Sequence, residues 1–431
     1  MQSPKRPEIV QKPESHTMLL QPKKEKTRVL KVFAIFFHPN TSVTAMGGAE
    51  KRFKETLKIL CKKENLKITV LESAPSLLKN PKVSCNKHLL SASFHGKGWL
   101  STYLGWISWT MKAPVKIFSL AYHEKPNIIL VSNNTLPNLL LGRIASFVLR
   151  LPLFVVVHHI DIPLFKAEEL GNYSLYSCYR GIEYSRNVAI VKSLTFYVTL
   201  SLLRKVKGII AVSNFTAKTL KNNRVHNVKV FVSGNAVDHN LINSIKSHAK
   251  EKIYDGVFVG RISKEKGIFD LLETWKRVVK VKENAKLLII GSGLELADLK
   301  KRVSESSLEN NVFIRGRCSD AELYSLLKSC RIFIFPSLFE GWGIAIAEAL
   351  ACELPVVAYD IPALRENFGK CESVFLSPPK DIEKMTSIVL RVLSLSENEM
   401  QKLCEESKAY SKRFVWEYVA NRDLEFLKEV I

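Results

Sequence analysis

The chain of 431 residues lacks any run of the roughly 18 uncharged apolar residues that a membrane-spanning helix needs. The longest contender, LPNLLLGRIASFVLRLPLFVVV (136–157), is interrupted by Arg143 and Arg150. No secretory leader is visible, since residues 1–30 have neither an apolar core nor a small-residue cleavage site. The eight cysteines stand singly at 61, 85, 178, 318, 330, 352, 371 and 404, with no CxxC pair. That spacing argues against a zinc site and against a disulfide framework, and suits a reducing, cytoplasmic interior with idle or buried thiols. Acidic residues are scarce in one half only. Residues 1–240 hold 35 Lys and Arg against 13 Asp and Glu, whereas residues 241–431 hold 29 against 28. Nearly the whole net charge of +23 therefore belongs to the first half, which is expected to face something anionic: nucleic acid, acidic lipid or a phosphate-bearing substrate.

What remains is the composition of a globular protein, 46% hydrophobic and 24% charged, long enough for two domains. Residues 1–28 mix Pro, Lys and Glu without periodicity and read as a flexible basic tail. From residue 29, apolar β-branched runs alternate with amphipathic stretches. VLKVFAIFFHP, LKITVLES, PNIILVS, LPLFVVVHH, VKGIIAVS and VKVFVSGNAV form a first set of strands. DGVFVGRI, AKLLIIGSG, NVFIRGR, RIFIFPS, LPVVAYD and SVFLS form a second. The alternation predicts two α/β domains with parallel sheets and a cleft between them. The boundaries expected are 29–245, 246–408, and a last helix over 409–431 that either domain can hold and that is assigned here to return to the first.

Three short stretches combine glycine with charge. AMGGAEKRF (45–53) follows the first strand and opens a helix, so Gly47 and Gly48 allow close backbone approach to an anion at the helix N-terminus. A Gly-Gly pair is also an ordinary turn. GRISKEKG (260–267) sets Arg261 and Lys266 five apart in a glycine-bounded loop, where two cations suit a diphosphate and where a solvated basic loop is the plain alternative. FPSLFEGWGIAIAEAL (335–350) places Glu340 in a glycine-rich turn and Glu348 on the helix that follows. A carboxylate is a natural acceptor for paired sugar hydroxyls. The competing reading is a capping glutamate and an ordinary helix glutamate.

Together with AVSNFTAKTL and SGNAVD, these stretches resemble a GT-B fold glycosyltransferase of family 4, marked by a Gly-Gly loop, an R-x4-K pair and an E-x7-E element. The likeness covers about residues 31–431 and is strongest over 255–365. It implies an α/β, GT-B architecture of two Rossmann-like domains and a retaining transfer from a nucleotide-diphosphate sugar. By resemblance, Glu348 binds the ribose hydroxyls and Glu340 the transferred sugar. The amides of Gly341, Trp342, Gly343 and Ile344 help to hold the hexose and phosphates. Arg261 and Lys266 neutralise the diphosphate, Gly47 and Gly48 approach it from the first domain, and Arg315 and Gly316 lie against the base. A histidine after a first-domain strand is also implied; His158 is preferred to His159 because it directly follows the strand. No cofactor or metal is expected, and the sequence has no DxD element. Two positions depart from common members: Ala236 replaces the glycine of the NGVD turn, and Trp342 stands where Phe is usual.

The acceptor side is thinner. GWLSTYLGWISWTM (98–111) is uncharged, carries three of the six tryptophans and lies between Lys97 and Lys112. As a helix of that length it spans about 21 Å, short of a bilayer core. Interfacial docking on anionic lipid and a buried hydrophobic hairpin both fit it. Docking implies a peripheral protein on the cytoplasmic side of a membrane, with a lipid-linked glycan or glycolipid as acceptor. A soluble sugar acceptor and a non-catalytic nucleotide binder are the rivals. Nucleic acid is not expected, because no recognition-helix, zinc-finger or RNA-binding signature accompanies the charge.

Overall fold

A computed structural model of the chain describes residues 29–37, 47–73, 85–91, 99–160, 175–181, 185–247 and 252–429. The tail over 1–28, most of the loop before Gly47, and Lys97 lie outside them.

The first sheet comprises β1 (Leu30–Phe36), β2 (Leu66–Glu72), β3 (Asn86–Leu89), β4 (Ile128–Val131), β5 (Leu153–Val157), β6 (Gly208–Ala211) and β7 (Lys229–Val232). Their order is β3-β2-β1-β4-β5-β6-β7, and every pairing is parallel. The second sheet comprises β8 (Tyr254–Val259), β9 (Leu287–Ile290), β10 (Val312–Gly316), β11 (Cys330–Phe335), β12 (Val356–Tyr359) and β13 (Val374–Ser377), in the order β10-β9-β8-β11-β12-β13, again all parallel. Both sheets are the doubly wound α/β type that the alternation of elements implies.

Helices α1 (Gly48–Leu60), α2 (Trp99–Glu124), α3 (Leu136–Leu149), α4 (Leu175–Gly181), α5 (Arg186–Leu203), α6 (Asn214–Asn222) and α7 (His239–Ser244) accompany the first sheet. The second is followed or crossed by α8 (Ile268–Val281), α9 (Leu296–Glu305), α10 (Asp320–Lys328), α11 (Ile344–Ala351), α12 (Pro362–Phe368), α13 (Ile382–Leu393), α14 (Glu397–Ser411) and α15 (Trp416–Glu429). Because successive strand residues point to opposite faces, β1 feeds two cores. Phe33 and Ile35 pack in one cluster with Trp109 and Ile117 of α2 and Leu139 of α3. Val32, Ala34 and Phe36 belong to a second cluster with Phe53 and Leu57 of α1 and Phe426 of α15, and this cluster continues into the second domain.

The chain end is tied to the first sheet. Phe426 stacks on Phe231 at 5.1 Å between ring centroids and meets Phe154 edge-on at 5.9 Å. Asp423 makes a two-oxygen ion pair with Arg52 of α1, both at 2.9 Å. Ala236 packs with Trp416 and Val419 of the same helix, so its methyl group fills a small core rather than disturbing the turn.

Two elements differ from the sequence expectation. β3, read from NKHL, is a polar edge strand with no apolar run to announce it. The uncharged stretch at 98–111 is neither a hairpin nor a separate segment. From Trp99 onward it is the first half of the 26-residue α2, which runs on past Lys112 because Ala113, Ile117 and Leu120 continue the buried stripe begun by Trp109. Among the described residues no helix is long and apolar enough to cross a membrane.

Candidate active site

In an open parallel sheet the ligand crevice lies at the carboxyl ends of the two strands where the winding reverses. In the second sheet those strands are β8 and β11. The loop after β8 is GRISKEKG and the loop after β11 is PSLFEGWG, so the two sharpest motifs of the sequence are brought to one crevice. They are tied to each other. Leu338 donates its amide to the Glu265 carbonyl at 2.9 Å. Gly267 has φ +65°, and a Cβ there would lie 1.9 Å from the Pro336 carbonyl oxygen, so only glycine allows the loops to lie this close.

Within the crevice Lys266 Nζ meets Glu340 Oε1 at 2.5 Å and the Phe339 carbonyl at 3.3 Å, both side chains being largely shielded. Arg261 stands at the rim, its side chain 64% exposed and 3.3 Å from Glu265. Gly343, at φ +101°, starts α11, and Ile344 is its first helical residue. Trp342 is spent differently: its indole is buried edge-on against Phe368 at 5.4 Å and Phe414 at 4.9 Å. Its ring is therefore part of the core, and only its main chain is left to the crevice loop. Arg315 and Gly316 end β10; Arg315 pairs with Glu322 at 2.5 Å, and the Gly316 carbonyl accepts from the Gly291 amide at 2.8 Å.

The first domain closes on this crevice at three points. Gly47 and Gly48 open α1, and a Cβ on Gly48 would stand 3.2 Å from Ile344 Cδ1, so the N-terminal ends of α1 and α11 face each other. Two helix N-termini converging in one cleft favour an anion between them. Gly341 lies so near His158 that a Cβ would fall 1.6 Å from the His158 carbonyl oxygen. The carboxylate of Glu366 on α12 accepts from the amides of Asn214 and Phe215, both at 2.7 Å, at the start of α6.

His158 is buried at the end of β5 with Nε2 3.2 Å from the Ser132 carbonyl. A carbonyl only accepts, so Nε2 carries the proton and Nδ1 is left with a lone pair. Burial first, and the nearby Arg52 guanidinium second, push its pKa down to about 3. His158 is therefore neutral at physiological pH. His159 is exposed, and its carbonyl accepts from Asn134 at 2.9 Å.

Glu348 is buried on α11 and is not an ordinary helix glutamate. Lys51 of α1 donates to its Oε1, Tyr324 donates to the same oxygen at 2.9 Å, and Lys51 also reaches Tyr324 Oη at 2.6 Å. Among the described residues no hydrogen bond goes to Oε2. Burial pulls the Lys51 ammonium towards losing its proton, but Glu348 and Asp320 outweigh it, and the pKa is held above its usual value. Lys51, Tyr324, Arg52 and Asp423 were not singled out from the sequence. The available signal was charge on an apolar stripe: Arg52 lies beside Phe53, Thr56 and Leu57, and Asp423 beside Ala420, Leu424 and Leu427. No group of three or more His, Cys, Asp or Glu side chains among the described residues is placed to hold a metal ion.

Residues 242–413 match the family described as glycosyl transferases group 1. The matched stretch spans both crevice loops and Glu348, and the chain as a whole has the GT-B fold. It is similar to the crystal structure of Anabaena Alr3699/HepE in complex with UDP and glucose, with a TM-score of 0.68 and 18% identity, covering 93% of this chain and 99% of that one; at that identity the likeness concerns fold alone. Over 349 residues it is 25% identical to the capsular polysaccharide biosynthesis glycosyltransferase CapM of Staphylococcus aureus, covering 74% of this chain and 82% of the relative. Over 169 residues it is 28% identical to the GDP-mannose:cellobiosyl-diphosphopolyprenol alpha-mannosyltransferase of Xanthomonas oryzae pv. oryzae, covering 38% and 44%. Several other curated relatives are matched over only 30 to 35% of their own length.

Proposed function

We propose that the protein is a retaining, metal-independent glycosyltransferase of family 4 that moves a hexose from a nucleotide-diphosphate sugar to a lipid-linked glycan or glycolipid at the cytoplasmic face of a membrane. The observation that carries this reading is the Lys266–Glu340 pair at the crevice between β8 and β11, with two helix N-termini facing each other beside it. A cation and a carboxylate side by side suit the two halves of a sugar diphosphate: Lys266 the phosphates, Glu340 the sugar hydroxyls.

The reaction breaks the bond from the anomeric carbon to the β-phosphate oxygen, so negative charge grows on that phosphate. Lys266, Arg261 and the amides of Gly341 to Ile344 meet it with charge and dipoles already fixed in place. Glu348 holds the ribose through Oε2, with Lys51 and Tyr324 fixing the carboxylate from the other side. Neutral His158 accepts a hydrogen bond from a sugar hydroxyl at Nδ1. Arg315 and Gly316 border the base. The lipid-borne acceptor is supported by the basic first half of the chain and by the diphosphopolyprenol acceptor in the name of one relative.

The test is transfer of labelled hexose from UDP- and GDP-sugars into lipid extracts and onto water-soluble sugars, with and without EDTA. Label in the lipid fraction, unaffected by EDTA and with the anomeric configuration of the donor, is the expected result. Label only on water-soluble sugars would overturn the acceptor.

A further inference from the structure

We infer that the outer surface of α2, α3 and α5 is a docking face for an anionic lipid bilayer, lying on the membrane rather than crossing it. The inference deepens the proposed membrane-borne acceptor and rests on it. The inner sides of these helices already fill the first sheet, through Trp109 and Ile117, Leu139 and Ala145, and Phe196 and Leu200. Their outer sides are apolar as well. On α2, Ile107, Met111 and Val115 follow one another at four-residue spacing and are 56%, 75% and 76% exposed. Phe147 on α3 is 80% exposed, and Leu194 and Tyr197 on α5 are 61% and 59% exposed. α3 packs between α2 and α5, so the three stripes adjoin. A surface helix ordinarily turns a polar side to water; a contiguous exposed apolar patch of this kind marks an interaction surface.

Charge decides the occupant. α3 and α5 contain no acidic residue, and α2 has only Glu124, at its last position. The same helices carry Lys112, Lys116, Arg143, Arg186 and Lys192. A second copy docking through this face would bring two basic rims together, because a two-fold interface apposes the same patch. Anionic headgroups answer both the apolar centre and the basic rim. No described helix is long and apolar enough to span a bilayer, so the face lies at the interface.

The experiment is co-sedimentation of the full chain with acceptor-free vesicles, phosphatidylglycerol-rich or pure phosphatidylcholine, at low and high salt. The wild type is compared with Met111→Glu/Phe147→Glu and with Lys112→Glu/Lys116→Glu. Met111, Lys112 and Phe147 are exposed and Lys116 is half-buried, so thermal stability and its increase with nucleotide serve as the folding control. Binding to phosphatidylglycerol, weakened by salt and about tenfold or more in each double variant, is the expected result. Equal binding by wild type and variants, or no binding at low salt, would overturn the face. So would a dimer that the variants break while no vesicle is bound. Vesicle binding by a protein that glycosylates only water-soluble sugars would overturn the acceptor and leave the face supported.

Discussion

Lys51 of the first domain seats its ammonium on the Glu348 carboxylate of the second, with Tyr324 sharing the same oxygen. An ion pair taken out of water holds the domains closed only while both partners are present. Lys51→Met leaves Glu348 buried without its cation. The expected loss is about 3 kcal/mol of stability, together with weaker nucleotide binding, because the carboxylate proposed to receive the ribose is no longer held in place. Thermal melts and calorimetric titration with nucleoside diphosphates read the two effects separately. A variant that keeps both would leave the pair without a role.

Lys266 and Arg261 are expected to differ in weight. Lys266 is shielded and touches Glu340, whereas Arg261 is mostly in solvent. One fixed donor to a developing negative charge is commonly worth about a hundredfold in turnover, as oxyanion-hole removals show. Lys266→Ala should lose at least that; Arg261→Ala should lose about a hundredfold or somewhat less. Single-turnover assays check this, and unchanged rates in both variants would remove the diphosphate role.

His158 gives a pH prediction of definite sign. Its pKa falls from 6.5 to about 3 on folding. Between these values the unfolded chain binds a proton that the folded chain refuses. The contribution of neutral His158 is therefore complete above pH 6.5 and is lost as pH falls towards 3, by up to about 1.4 kcal/mol per pH unit. His158→Gln should show a shallower decline of melting temperature between pH 6.5 and 4 than the wild type. Parallel curves would contradict the buried, neutral state.

Much of this was legible in the chain itself. Twelve of the thirteen strands among the described residues are apolar β-branched runs, and in a sheet buried on both faces such runs have little else to be. GRISKEKG and EGWGIAIAE announced themselves because glycine at positive φ and close backbone approach leave no substitute at Gly267, Gly341 and Gly343. β3 went unseen because an edge strand needs no apolar run. Lys51 on Glu348 went unseen because the pairing joins residues nearly three hundred apart, and nothing in local spacing reports which helix faces which. The full length of α2 was hidden by Lys112, which reads as a boundary in sequence and is simply one solvent-facing position of a longer helix.

Gly341→Ala probes the domain contact directly. Its Cβ would fall 1.6 Å from the His158 carbonyl, a backbone atom that no side-chain rotation moves aside. The domains must separate or the crevice loop must shift, and displacement of a donor-holding group by about 1 Å can cost a hundredfold. Activity is expected to fall by that order, with the fold retained by circular dichroism. Wild-type activity in this variant would mean the closed contact is not the working one.

The central claim, that Glu348 and the crevice beside it hold a nucleotide, is tested most directly by thermal stabilisation with UDP, GDP, ADP and their sugar derivatives, on the wild type and on Glu348→Ala. A ligand at a hundred times its dissociation constant adds about 2.7 kcal/mol. One nucleotide series that raises the melting temperature of the wild type and not of Glu348→Ala is the predicted result, and it names the base. Equal stabilisation of both proteins, or none of either by any nucleotide, would contradict it.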